Sequence, residues 1–473
     1  MAKPEHMTDR DQSHDPSEAA PQPGAQHSLL DDVVREVQGA IEAGDQAKVE
    51  ALVLTLHYSL VAQLLQRVSP AERRALIDLV GTQLDPEAFV ELDESVREEV
   101  IQQLGPRRAA AVVRELDTDD AVDLVQGLEE EVQKEVLEAV AAPERRVLEE
   151  GLSYPEDSAG RLMQRELVSV PAEWSVGQII DHLRQAEDLP DDFYDLFVVD
   201  QAQKPIGTVP LSRVLRTRRP VAVAEIMDKR DELVTVPVAM DQEQVADLFR
   251  RHDLTSAPVV DEAGRLVGVV TIDDVVDVID EEYEEDLMRM AGVGETDLYR
   301  AVLATTKSRF SWLAINLGTA IVASTVIGAF ADTIEELVAL AVLMPIVASM
   351  GGNAGTQTLA VMVRALATKE LSPTNALRAI GKEVLVGGIN GVLFAALGAV
   401  AAGLWFDSLG IGLVLGAAMI VNLLAAGIAG STIPLGLSLM RIDPAVASGV
   451  FLTTVTDVVG FFAFLGLAAW LLL

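Results

Sequence analysis

The chain has 473 residues, a formal net charge of -37 and no cysteine, so disulfides and thiolate metal sites are excluded. The charge is segregated. Residues 1–307 carry 65 acids and 30 bases, whereas Ser308 to the end carries eight acids and six bases, so an acidic front half precedes a nearly neutral, apolar back half. A front half this negative excludes nucleic acid, whose phosphates need basic contacts, and favours bound cations.

Residues 1–28 are Pro-, Ser- and Asp-rich without periodicity and read as a disordered tail. They contain no apolar signal core, which keeps the front half on the cytoplasmic side. Residues 29–151 read as short amphipathic helices with a faint 24-residue repeat. Arg67-Val68-Ser69, Glu91-Leu92-Asp93, Glu115-Leu116-Asp117 and Ala139-Val140-Ala141 each close one helix and open the next. Stacked helix pairs of this kind make a helical superhelix, a docking or scaffold surface.

Over 152–272 a second repeat of about 66 residues appears. ELVSVP (Glu166–Pro171) recurs as ELVTVP (Glu232–Pro237), and FVVDQAQKPIG (Phe197–Gly207) as PVVDEAGRLVG (Pro258–Gly268). Each copy reads strand, helix, strand, tight turn, strand, helix. This resembles a tandem α/β pair of CBS modules, and the resemblance implies a sensor of adenine nucleotides such as ATP. The second copy ends TIDD, with Thr271 and Asp274 where that family places its ribose contacts, while Pro210 and Arg213 stand there in the first copy. At most one nucleotide site is therefore intact.

Residues 273–307 open with VVDVIDEEYEEDLMRM (from Val275), an acidic connecting helix with no base until Arg289. Spacings of three and four put Asp274 and Asp277 on one stripe, and Glu282, Glu285 and Asp286 on another. On charge pattern alone a solvated linker helix fits equally well.

Residues 308–473 hold five apolar stretches long enough to span a bilayer: about Phe310–Ala331, Leu337–Leu366, Val384–Phe406, Leu409–Leu439 and Val446–Leu473. Pro345 with Gly351-Gly352, and Gly430 with Pro434, predict interruptions in the second and fourth. Arg300, Lys307, Arg309, Arg364, Lys369, Arg378, Lys382 and Arg441 fall at one set of span ends, and the loops ADTIEE and FDS contain no base. That asymmetry places the front half in the cytoplasm and the chain in the cytoplasmic membrane.

Polar residues within the spans are few. Lone asparagines such as Asn316, Asn390 and Asn422 read as helix–helix contacts. In SMGGNAGTQT, however, Asn353, Thr356 and Gln357 share a face beside adjacent glycines. On the last span Thr453, Thr454, Asp457 and Gly460 form a second oxygen-bearing stripe. An acid within a span marks a functional site whose partner must be named. No Lys, Arg or His lies at mid-depth, so Asp457 is either protonated or paired with a cation from solution. Oxygen ligands without sulfur or imidazole favour magnesium or calcium over zinc or copper.

With PIVASMGGNAGTQ in the second span and DPAVASGVFLTTVTD entering the last, the chain after residue 29 resembles the MgtE family of magnesium channels. The resemblance implies a multidomain membrane protein: a helical N domain, a CBS pair, a connecting (plug) helix and a five-helix transmembrane domain. It implies a homodimer with one pore between subunits, and Asp457 holding the ion mainly through its waters. The carbonyls of Gly352 and Thr453 and the side chain of Asn353 lie alongside, and Thr356 stands where some relatives have Asn. Val450 replaces an expected Pro. The resemblance further implies that cytosolic magnesium closes the channel by binding among Asp119, Asp123, Asp241, Glu243, Asp253, Asp274, Asp277, Glu282, Glu285 and Asp286. Two alternatives to such a channel are a proton-coupled divalent-cation transporter and a membrane-tethered nucleotide sensor. No nucleophile–base pair or phosphate loop points to an enzyme.

Overall fold

The computed structural model describes residues 23–186, 189–190, 193–229, 233–293, 302–371, 374–440 and 442–473. Glu232, Arg300 and Arg441, used above for the repeat and the orientation, lie outside them. The chain forms two compact units, Met1–Val276 and Asp277–Leu473.

The first unit opens with ten helices: α1 (Pro23–Ala43), α2 (Gln46–Val53), α3 (Tyr58–Arg67), α4 (Pro70–Val80), α5 (Glu87–Val90), α6 (Glu94–Leu104), α7 (Pro106–Glu115), α8 (Thr118–Gln126), α9 (Glu130–Ala139) and α10 (Ala142–Ser153). Helix α1 begins at Pro23, so residues 23–28 of the expected tail are helical, and residues 1–22 lie outside the described residues. The 24-residue repeat is the spacing of the N-caps Ser69, Asp93, Asp117 and Ala141. Each follows a buried apolar residue, Val68, Leu92, Leu116 or Val140, that pins the chain as it enters the helix. At Ser69 the cap is reciprocal with Glu72, whose carboxyl is held below its ordinary range chiefly by the Ser69 hydroxyl and backbone. One continuous core runs from Val37 to Leu148.

The rest of this unit is α11 (Ala159–Leu162), β1 (Ser169–Pro171), α12 (Val176–Gln185), β2 (Asp195–Val199), β3 (Pro205–Pro210), α13 (Leu211–Arg216), α14 (Val223–Ile226), β4 (Asp228–Lys229), β5 (Val236–Pro237), α15 (Gln242–His252), β6 (Ser256–Val260), β7 (Leu266–Thr271) and the start of α16 (Ile272–Ala291). The two copies of the repeat build matching sheets. β1 runs parallel to β2 and β2 antiparallel to β3, as β5 does to β6 and β6 to β7. The register shifts at Val198/Val199 in one and at Val259/Val260 in the other. The turns match too: Asp200 and Asp261 each accept two backbone N–H groups, and Gln203 and Gly264 take positive φ.

The second unit continues α16 and adds α17 (Val302–Ala329), α18 (Ala331–Glu336), α19 (Ala339–Ala367), α20 (Ala376–Trp405), α21 (Leu409–Leu439) and α22 (Pro444–Leu471). Among the described residues five helices are long and apolar enough to cross a membrane. Helix α21 is the most buried of them. The predicted interruptions do not form: α19 runs unbroken through Pro345 and Gly351-Gly352, and α21 through Gly430 and Pro434. A proline costs a membrane helix one ladder bond, which packing against neighbouring helices offsets. Helix α20 starts at Ala376, eight residues before the apolar run, and so takes in Glu383, which the tally of polar span residues left out.

Candidate functional site

Asp457 lies half-buried near the middle of α22, and no hydrogen bond or ion pair from a described residue reaches its carboxylate. The hydroxyls around it are spent locally. Thr453 donates to the carbonyls of Gly449 and Val450, Thr454 to Val450, and Thr456 to Leu452 and Thr453. The carboxylate is thus the unspent polar group of its stripe. Val450 is an ordinary helical residue here, and α22 starts cleanly at Pro444 with Asp443 as its cap.

On α19, Asn353 and Thr356 face outward from the single chain. Asn353 donates to the Ser349 hydroxyl at 3.3 Å, and Thr356 to the Gly352 carbonyl at 2.9 Å. The carbonyls of Gly352 and Thr453 therefore stay within their helices and already accept a hydroxyl. Asn422 of α21 ties the two stripes together. It is fully buried, donates to the Val347 carbonyl at 2.8 Å, and packs against Gly351 and Gly460. A side chain at Gly460 would meet its amide at 2.6 Å, so only glycine allows α21 and α22 to close here. The helix–helix reading of Asn422 is what its contacts display.

The acids of the first unit crowd at the start of α8. Asp119 is 8% exposed, and its carboxyl is pushed well above the ordinary range by burial first and then by Asp274, Asp120 and Asp117. Asp120 is pushed up to about 8 by burial, then by Glu87, Asp274, Asp117 and Asp123. Glu87 is raised by burial, then by Asp85, Asp117, Glu91 and Asp273. Glu166 ties down the start of α8, accepting from the Thr118 hydroxyl at 2.7 Å and its backbone N–H at 3.2 Å. Asp120, Asp117, Glu87 and Asp273 escaped the sequence reading, although DTDD at an N-cap followed by TIDD was the available signal.

Other named acids are engaged elsewhere. Asp123 pairs with Arg97 at 2.8 Å. Asp241 caps α15 by accepting from the Glu243 N–H, and Asp253 closes the same helix in a left-handed turn. Thr271 donates to Asp274 at 2.5 Å and accepts from Gln164 at 3.3 Å, so the two nucleotide candidates are bonded to each other. Among the described residues no three carboxylates stand close enough to grip one bare ion.

In the second unit, Arg289 near the end of α16 pairs with Glu285 and, at 2.8 Å, with Asp443, the cap of α22. Asp286 is raised by burial, then by Asp443 and Glu282. Met290 packs with Leu359, Val363, Ala445 and Leu452, which fastens this end of α16 to α19 and α22. Asp277 and Glu282 lie on the same helix.

The raised acids predict a pH effect. An acid with a raised folded pKa supports the fold below its unfolded value, near 3.8 for Asp120, and that support is lost as pH climbs through about 8. In chelator, the first thermal transition of the full chain should therefore move to lower temperature between about pH 6 and 8.5, and magnesium should restore it. Glu72 and Asp261, whose values are lowered, titrate below that interval and do not contribute. A transition indifferent to pH in chelator would contradict the clustering.

Comparison with known proteins follows the same division. Residues 344–467 match MgtE, described as a divalent cation transporter; residues 56–157 match the MgtE intracellular N domain; residues 159–219 and 223–281 match CBS domains. The chain is 31% identical over 443 residues to the "Magnesium transporter MgtE" of Thermus thermophilus, covering 92% of this chain and 98% of that one. The chain belongs to the MgtE family. A second MgtE, from Enterococcus faecalis, is 34% identical over 68% of this chain and 71% of its own length. That of Bacillus subtilis is 29% identical over 80% and 84%. A solved structure, the cytosolic domain of the Mg2+ channel MgtE in complex with ATP, is 30% identical and covers 52% of this chain and 99% of its own, with a TM-score of 0.48. Membership in MgtE fits a mostly helical membrane protein with a CBS pair, and the three MgtE relatives are magnesium transporters.

Proposed function

We propose that this chain conducts magnesium across the cytoplasmic membrane and that cytosolic magnesium closes it. The observation that carries the reading is Asp457: an acid within a spanning helix with no counter-charge among the described residues, beside hydroxyls already satisfied. A charge so placed is compensated by a mobile cation. One carboxylate, with carbonyl and amide oxygens reached through water, matches the oxygen preference and slow dehydration of magnesium. The outward-facing Asn353 and Thr356 on a single chain support a homodimer, in which two copies of Asp457 share one path.

Closure follows from electrostatics. The acids at α8 and the first turn of α16 repel one another, and divalent ions that settle among them favour the compact arrangement. Helix α16 carries Asp273 and Asp274 at its start and Arg289 and Met290 near its end. Its end is fastened to the cap of the helix bearing Asp457, so seating its start restrains the pore helix. Emptying the cluster frees α16 and opens the path. Adenine nucleotide at Thr271 and Asp274 would have to break their mutual bond, which sets it in competition with the metal role of Asp274.

The test is magnesium flux into proteoliposomes holding the full chain, with magnesium varied on the side of the acidic half. Flux should fall as that magnesium rises and should need no proton gradient. Flux that tracks an imposed proton gradient would support coupled transport instead. Flux indifferent to magnesium on that side would remove the feedback.

A further inference from the structure

Glu383 is a second acid within the described spanning helices, and the mechanism above does not use it. It sits on α20 and is 8% exposed. Thr358 of α19, itself 7% exposed, donates its hydroxyl to the carboxylate at 3.3 Å. Lys382 comes within 3.9 Å of the other oxygen, but its side chain is 73% exposed, so water takes up most of that charge. Backbone contact fixes the position. Gly427 of α21 rests against the Glu383 carbonyl, where a methyl would come within 2.9 Å, and a methyl at Gly387, one turn along, would come within 2.6 Å of the Leu423 carbonyl.

The carboxylate borders a cavity of about 170 Å³ between α19, α20 and α21. Its polar lining is Glu383, Thr358, Gln357 and Asn390, and its other walls are apolar or glycine. The volume holds about five waters. Gln357 reaches it from the exposed side of α19, close to the stripe of Asn353 and Thr356. Counted from the helix ends on the side of the α19–α20 connection, Glu383 lies about 10 Å along α20 and Asp457 about 20 Å along α22.

We propose that this cavity is a second cation site of the membrane domain, a station for a partly hydrated divalent ion between Asp457 and that side of the bundle. Glu383 supplies the charge, and Gln357, Asn390 and Thr358 supply neutral oxygens. Thr358 donates to Glu383, which marks the carboxylate as an acceptor. One hydroxyl and a solvated ammonium leave an ionised buried carboxylate short of compensation. A merely protonated acid would need one acceptor, not a chamber of water size lined by three further polar side chains. The proposal rests on the transport reading for the ion's route, but the occupancy of the site can be measured apart from flux.

The experiment uses the full-length chain crystallised with Mn2+ as the anomalous scatterer. An anomalous peak beside Glu383, within first- or second-shell reach, is expected in wild type and should vanish in Glu383→Gln. In proteoliposomes Glu383→Gln should lower Mg2+ flux about tenfold with an unchanged thermal transition, Glu383→Asp should recover part of it, and Asn390→Leu should weaken it less. No peak in wild type at saturating Mn2+ overturns the site, whether or not the variants fold. Wild-type flux in a folded Glu383→Gln overturns its part in conduction. Should Asp457→Ala conduct normally while the Glu383 peak is present, the pore assignment fails and this site stands.

Discussion

Replacing Asp457 with alanine is expected to lower magnesium flux about 100-fold without unfolding the bundle. The size follows from what is removed. A carboxylate facing a divalent ion inside a low-dielectric helix bundle is worth about 3 kcal/mol, and each 1.4 kcal/mol is a factor of ten. Among the described residues none compensates, because none bonds to Asp457 and none replaces its charge. For the same reason the fold should tolerate the change: no fixed cation is left unpaired, and removing an unmatched charge from the membrane does not cost stability. Asp457→Asn keeps an oxygen and loses the charge, so it should conduct between the two and discriminate less between divalent and monovalent cations. The measurement is initial Mg2+ uptake by proteoliposomes, alongside thermal unfolding in detergent. Uptake above about a third of wild type in a folded Asp457→Ala would remove the acid from the path.

Sequence reading reached this residue because its signal is local: one acid in an apolar run is visible without any neighbour. The repeats were legible for a related reason. Caps at Ser69, Asp93 and Asp117 and the paired turns at Asp200 and Asp261 are written in a few adjacent residues. What stayed hidden depends on distant segments. Asp120 is surrounded by Glu87 of α5 and Asp274 of α16, segments almost two hundred residues apart in the chain. Nothing adjacent in sequence marks the Arg97 that pairs with Asp123, and Glu285 shares its Arg289 with Asp443 of α22. Glu383 was missed because hydropathy begins the third span one residue after it, whereas the helix begins seven residues before it. The predicted breaks at Gly351-Gly352 and Gly430 failed for a similar reason. Glycine weakens a helix in isolation, but here Gly351 admits Asn422 and Gly430 admits the Gly355 carbonyl, so packing holds each helix unbroken.

The paired change Asp119→Asn with Asp120→Asn is expected to abolish control by cytosolic magnesium and to leave the channel mostly shut. Asparagine copies the shape of a protonated aspartate, the form these two acids favour when buried together without metal. To stay compact without magnesium near neutral pH, each wild-type acid must either take up a proton or repel its neighbours, and this cost, which opens the wild-type cluster, is then absent. Like charges about 6 Å apart at an effective dielectric near 20 repel by about 3 kcal/mol per pair. Moving a two-state equilibrium from 1:99 to 99:1 takes about 5.5 kcal/mol, so losing two or three such pairs suffices to reverse it. Flux from the double variant should therefore stay low at every internal magnesium concentration, and its thermal transition in chelator should rise and lose its pH dependence. Two results separate the possible causes. High flux at all magnesium concentrations would mean that the ion closes the channel as a ligand-made bridge, not by relieving repulsion. A wild-type dose response would mean that the acids at the start of α8 take no part in sensing magnesium.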